Sequence, residues 1–147
     1  MVAIAVNEHL RLHPTHVVLN GDIENAFNSM WRKAMAAGIM MLGDGGGRAM
    51  LSFFLLMYGK KSTLSFFGAN GLRHDVFGCT GCTQGCTIGM ILFCLGMHPL
   101  LVEALEEAPN SEAYSFADDN HLCGPAEEII EVALTIHILF RERAGLK

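Results

Sequence analysis

The longest apolar run in the chain, Thr87 to Leu105, is broken only by His98, Pro99 and Glu103. A helix that is apolar on all sides must be buried, either in a protein core or in a bilayer. A membrane span needs about 20 predominantly apolar residues without such breaks, so this run predicts a core helix, Cys86 to Glu107, which the remaining chain has to cover. Ala49 to Tyr58 is apolar too but shorter, and predicts a second buried helix over Arg48 to Tyr58. The chain has 147 residues, 51% of them hydrophobic, which suits one globular domain with a real core over residues 1–147. No repeat, linker or low-complexity tract divides it.

Around the core helix the sequence alternates between helix and strand signals. Met1 to Arg11 reads as the tail of a helix stopped by Pro14. His16 to Asn20 forms a strand that ends on Gly21-Asp22. Ser29 is a candidate N-cap for a helix from Met30 to Ala37 that stops at Gly38, with Trp31 packed beneath it. Gly43-Asp44-Gly45-Gly46-Gly47 lacks the Gly-Lys-Ser/Thr ending of a phosphate cradle and predicts a helix-to-helix turn. Lys61 to Phe67 and Leu72 to Gly78 flank Gly68-Ala69-Asn70-Gly71, and Asn-Gly between alternating segments is a strong hairpin signal. Beyond the core helix, Pro109 and Asn110 break the chain. A second hairpin follows around Asp118-Asp119, then a last helix from Ala126 to Ala144, opened by Glu127 and Glu128 as the helix dipole favours. This order predicts an α+β fold, an antiparallel sheet with helices packed on one face.

The tip of the second hairpin carries two adjacent carboxylates. Like charges repel and raise each other's pKa unless something positive neutralises them, and a divalent cation does so. A solvated Asp-Asp-Asn turn accounts for the same residues, since Asp and Asn are ordinary turn formers. Asp22 stands at a strand end, where the backbone is held and the side chain is exposed. With that strand beside the Asp118 hairpin, at the same end of the sheet, Asp22, Asp118 and Asp119 converge.

Other functions are disfavoured by composition. The net charge is −5, with 10 Lys and Arg against 15 Asp and Glu, so the chain lacks the basic footprint of a protein that grips a phosphate backbone alone. Five cysteines, an odd number, fit a reducing compartment. No charged segment followed by an apolar core opens the chain, which points to an intracellular protein without a secretory leader or membrane anchor. His9, His13, His16, His74, His98, His121 and His137 show no metalloprotease or triad spacing.

Taken in order, Asp22-Ile23-Glu24-Asn25-Ala26-Phe27, then Thr83-Gln84-Gly85 leading into Ile91-Leu92-Phe93, then Phe116-Ala117-Asp118-Asp119 resemble the successive palm motifs of reverse transcriptases. They are most similar to those of non-LTR, LINE-type retroelements. The resemblance runs from His16 to Lys147, where Gly145-Leu146-Lys147 looks like the start of the next motif. It implies a polymerase palm whose finger and thumb segments belong to a longer polypeptide, with primer-template nucleic acid and dNTP as partners. It further implies that Asp22 and Asp118 are catalytic carboxylates bridging two Mg²⁺ (or Mn²⁺) ions about 3.5 to 4 Å apart, with Asp119 in support. The backbone from Ile23 to Ala26 would touch the triphosphate. Phe27 matches the aromatic beneath the nucleotide sugar that excludes a 2′-hydroxyl, although its residue type alone reads as core. Gln84 and Gly85 match the loop that contacts the incoming nucleotide and the template.

The chain also departs from that pattern. After Gln84-Gly85 the family shows an acidic residue and a proline, then a small residue and another proline; here stand Cys86, Thr87, Gly89 and Met90. That departure supports the alternative of a degenerate, non-catalytic reverse-transcriptase-like domain. A third reading, a Cys-rich metal protein, rests on the spacing of Cys79, Cys82 and Cys86, with His74 and Cys94 nearby. Tetrahedral zinc needs a fourth ligand, and no second Cys-x-x-Cys pair supplies it.

Overall fold

The computed structural model describes residues 2–83 and 85–147. The elements follow as α1 (Val2–Leu12), β1 (Val17–Gly21), α2 (Ala26–Ser29), α3 (Arg32–Met40), α4 (Gly46–Tyr58), β2 (Ser62–Phe67), β3 (Arg73–Gly78), α5 (Gly89–Leu105), β4 (Glu112–Phe116), β5 (Asp119–Gly124) and α6 (Ala126–Leu139). The last helix runs on as a π-helical turn over Phe140–Ala144. This is the expected order with one short helix, α2, added after Asp22.

Three strands form an antiparallel sheet in the order β1-β5-β4, and β2 and β3 form a separate two-stranded ribbon. The β1–β5 ladder runs from Val17 opposite Gly124 to Gly21 opposite Asn120. On one face of the sheet, Leu19 and Leu122 meet Ala133, Ile136 and Phe140 around a cavity of about 170 Å³. This is the expected α+β packing, with α5 and α6 on that face. Alternation along β4 sends Glu112 and Tyr114 to the opposite face. There α1 lies against the sheet through His9, which bonds Glu112 and meets the Tyr114 ring edge-on at 6.1 Å.

The apolar run does form the central helix. α5 buries Leu92, Phe93, Gly96, Met97, Leu100, Leu101 and Ala104. They pack with Met30, Met35 and Ile39 from the α2–α3 side, and with Ile129, Val132 and Leu139 from α6. Its outer side is not covered: Met90, Ile91 and Val102 are exposed. Among the described residues no helix is long and apolar enough to cross a membrane.

Three expectations are corrected. Gly38 does not end its helix; α3 begins at Arg32, after Trp31, and continues through Gly38 to Met40. Gly38 is glycine because α3 and α5 cross there, and a Cβ would stand 1.8 Å from the Leu95 carbonyl oxygen. Ser29 closes α2 and caps nothing. The helix over Arg48 to Tyr58 is only partly buried, since Phe54 and Tyr58 face the core while Phe53, Leu55, Leu56 and Met57 are exposed. The first hairpin forms as expected around Gly71, whose φ of 72° is the left-handed conformation that Asn-Gly turns use.

Candidate active site

β4 passes into β5 through Ala117 and Asp118, with Phe116 paired to Asp119 across the turn. Ala117 has a φ of 57°, which costs a residue with a Cβ about 1–2 kcal/mol. Asn120 holds this turn. Its side chain is buried, its Nδ2 donates to the Asp118 carbonyl at 2.8 Å, and its Oδ1 accepts from the Ser115 hydroxyl at 2.7 Å. Asp118 is left half-buried and Asp119 exposed.

Gly21 opposite Asn120 is the final pair of the β1–β5 ladder. Asp22, the next residue, therefore stands at the same end of the sheet as Asp118 and Asp119, and it is exposed. The backbone after it turns sharply. Glu24 N–H donates to the Lys147 carbonyl at 3.2 Å, and Asn25 takes a left-handed φ of 51°. Ile23 and Ala26 are buried and anchor this turn. Phe27 is half-buried against Phe93, with ring centroids 4.9 Å apart.

A second loop is sewn onto the first. Gly81 N–H donates to the Met30 carbonyl at 2.7 Å and Cys82 N–H to the Phe27 carbonyl at 2.8 Å. The Thr80 hydroxyl donates to the Asn28 carbonyl at 2.9 Å. Gly81 has a φ of 63°, and a Cβ there would lie 2.3 Å from the Phe27 carbonyl oxygen, so both the turn and the approach require glycine. Gly85 is exposed, with a φ of 87° and open space where a side chain would stand. Gln84 lies outside the described residues.

Sequence reading missed Arg32. Its guanidinium donates to the carbonyls of Lys60 at 2.7 Å, Tyr58 at 3.2 Å and Gly81 at 3.2 Å, and to the Ser62 hydroxyl at 3.0 Å. It also lies over the Tyr58 ring, 5.1 Å from the centroid. One side chain thus ties α3 to the end of α4, the start of β2 and the Gly81 loop. The available cue was an arginine in a first helical turn, where the dipole disfavours positive charge and where a guanidinium must find other partners.

The cysteines do not assemble. Cys82 is buried with its Sγ 3.6 Å from Met35 Sδ, and burial pushes its thiol up to about 11. Cys79 and Cys94 are exposed, and all five thiols are free. Among the described residues no three His, Cys, Asp or Glu side chains already stand as a metal-binding set. Asp22, Asp118 and Asp119 accordingly share an end of the sheet without closing into one. What they do offer is hard carboxylate oxygen at one edge, beside the turn through Asn25 and the glycine-dependent loop of Gly81 and Gly85 that is sewn onto it.

No protein-family model matches the chain. Over 111 residues, 76% of its length, it is 25% identical to the Retrotransposable element SLACS 132 kDa protein of Trypanosoma brucei gambiense, of which it spans 9%. Its fold is similar to that of apo telomerase from Candida tropicalis truncated from its C-terminal domain, with a TM-score of 0.67 and 14% identity, covering 99% of this chain and 32% of that one. It is also similar to telomerase from Candida albicans in complex with the TWJ fragment of telomeric RNA, with a TM-score of 0.62 and 12% identity, covering 97% of this chain and 28% of that one. At these identities the likeness to the telomerases is one of fold. The chain spans about a third or less of each of these relatives.

Proposed function

We propose that this chain is the palm of a reverse-transcriptase-like, RNA-directed DNA polymerase, in which Asp22 and Asp118 would hold the catalytic metals and Asp119 would support them. The β1–β5 register supports this reading, because its last pair, Gly21–Asn120, leaves Asp22 at the same end of the sheet as the hairpin tip that carries Asp118. The retrotransposable-element likeness and the telomerase-like fold support it.

The donor set fits the chemistry, since hard carboxylate oxygens select Mg²⁺ or Mn²⁺ over softer ions. Held by these carboxylates, Mg²⁺ or Mn²⁺ would supply activation of a primer 3′-hydroxyl and charge neutralisation for the leaving pyrophosphate. Asn120 fixes the turn that carries Asp118, so the carboxylate is oriented by backbone and not by its own rotamer alone. The Ile23 to Ala26 turn and Gly85 offer backbone to a triphosphate, and Phe27, seated on Phe93, forms the floor beneath the sugar that excludes a 2′-hydroxyl. By the resemblance of Thr83-Gln84-Gly85 to the family motif, Gln84 would share that contact. With a net charge of −5 the palm does not hold primer, template and dNTP unaided; finger and thumb segments of a longer polypeptide supply that grip.

Mn²⁺ titration followed by electron paramagnetic resonance tests the site. The wild-type chain should bind weakly, and Asp22→Asn and Asp118→Asn should each weaken binding about tenfold, a loss of about 1.4 kcal/mol. Unchanged Mn²⁺ affinity in both variants would refute the assignment and favour the degenerate, non-catalytic domain, for which the Cys86, Thr87, Gly89 and Met90 departures speak.

A further inference from the structure

We propose that the His9–His16 hydrogen bond is an acid-sensitive latch, which holds α1 on the sheet while the pair carries at most one added proton and releases it when both rings are charged. The latch uses none of the residues at the carboxylate site, so it stands or falls independently of the polymerase reading. α1 docks through one face, on which Val2, Ala5, Val6 and Leu10 are half-buried and His9 alone is buried. A titratable ring thus occupies the place where a docking helix ordinarily sets a large apolar side chain.

The bonds around His9 limit how many protons the pair can hold. A carboxylate only accepts, so His9 Nδ1–H donates to Glu112 Oε2 at 3.2 Å. That leaves the Nε2 lone pair to accept from His16 Nδ1–H at 3.0 Å. One added proton is tolerated: it charges His16 at Nε2, or it sits on His9 Nε2 and reverses the bond, and either way one hydrogen lies between the two nitrogens. Two added protons set N–H against N–H at 3.0 Å, with no acceptor between two positive rings. His13 lies against both, its ring centroid 5.0 Å from His9 and 4.6 Å from His16, so a charge on it adds to the repulsion. A buried N–H without an acceptor is costly, and His9, at 6% exposed, reaches water only if α1 moves.

The surrounding groups set the direction of the response. Partial burial first, then His13 and His9, hold the His16 ring below the ordinary imidazole range, while Glu128 at the start of α6 pulls the other way. Glu128 is itself engaged, accepting from Asn110 and Ser111. On β4, the Tyr114 hydroxyl donates to Glu112 and holds its carboxyl below the usual carboxylate range, so Glu112 stays charged while the imidazoles titrate. Cys123, opposite Glu112 on β5, is pushed up by burial and stays a neutral thiol. On α1 itself Glu8 and Arg11 pair and cancel. A base held low in the docked state binds fewer protons there than when free. Docking is therefore full above the free imidazole value of about 6.5 and weakens as pH falls below it.

Amide hydrogen exchange of the 147-residue chain, read residue by residue by NMR and corrected for intrinsic rates, tests the latch. Between about pH 7 and about pH 5, protection of the α1 amides should fall about tenfold while protection of α5 holds. His16→Asn keeps an amide donor near the Nδ1 position, offers an acceptor when turned over, and takes up no proton, so its α1 should stay docked at both pH values. Imidazole nitrogen shifts of the wild-type chain should show His9 protonated at Nδ1 and bare at Nε2 at neutral pH, a readout that needs no variant to fold. Protection of α1 that ignores pH, a parallel loss in α5, an acid response in folded His16→Asn equal to that of the wild type, or a His9 bare at Nδ1 would each overturn the proposal.

Discussion

Gly38→Ala isolates the contact on which the central helix depends. In an exposed helix interior this exchange stabilises by about 1 kcal/mol, because alanine loses less backbone freedom on folding. Here a Cβ would stand 1.8 Å from the Leu95 oxygen and 2.4 Å from the Leu95 carbonyl carbon. Those atoms are backbone and cannot swing aside. Leu95 is also four residues before Pro99, which has no N–H to give that carbonyl and whose ring crowds it. Ordinary contact begins near 3.4 Å, so α3 has to retreat from α5 by about 1.5 Å. Even a gap of about 0.5–1 Å forfeits a quarter to a half of the dispersion between facing atoms, and Met35 and Ile39 pack in the same layer. Overpacking costs about 1–3 kcal/mol, and more where backbone is struck, so it outweighs the propensity gain and leaves a net loss of about 2 kcal/mol. Urea unfolding should show a midpoint lowered by about 1 M at unchanged slope. Gly46→Ala, in α4 with nothing within 4 Å, is the control and should raise stability by up to about 1 kcal/mol. If Gly38→Ala behaved like Gly46→Ala, the helices would not meet at this point and the reasoning would fail.

Two further outcomes follow from side chains that sequence reading placed poorly. Arg32→Met should cost about 2–3 kcal/mol in thermal unfolding, because three carbonyls lose a charged donor, and Arg32→Lys should recover little of it since an ammonium lacks the fork; a loss below about 0.5 kcal/mol would show these bonds to be incidental. Cys82 should resist iodoacetamide in the folded chain while exposed Cys79 is labelled. Its folded pKa is raised, so the stability it contributes is full below the unfolded thiol value of about 8.5 and is lost as pH rises toward its folded value of about 11. Equal labelling rates for the two thiols, or a stability flat across that window when compared with Cys82→Ala, would refute its burial.

Much of the local structure was legible in the sequence because turn chemistry and periodicity act over a few residues. Asn70-Gly71 announced a hairpin, Pro14 a helix end, and the long apolar run a central helix, and each stands where its residues put it. Asp22 at a strand end and Asp118 at a hairpin tip were legible for the same reason. Tertiary structure decided which surfaces meet. Glycine serves both helix ends and helix crossings, so Gly38 looked like a stop until α5 was seen lying against it. α4 is apolar enough to be buried, yet it packs on one side only, a fact about its neighbours and not about its own residues. Arg32 found its partners in segments 26 to 49 residues away. His9, His13 and His16 show no motif spacing, and their rings meet because one tight turn follows the last turn of α1, while β4 brings Glu112 to His9 from far along the chain. Spacing along a chain encodes contacts within a turn or a ladder, whereas contacts between elements depend on where packing lets two surfaces close.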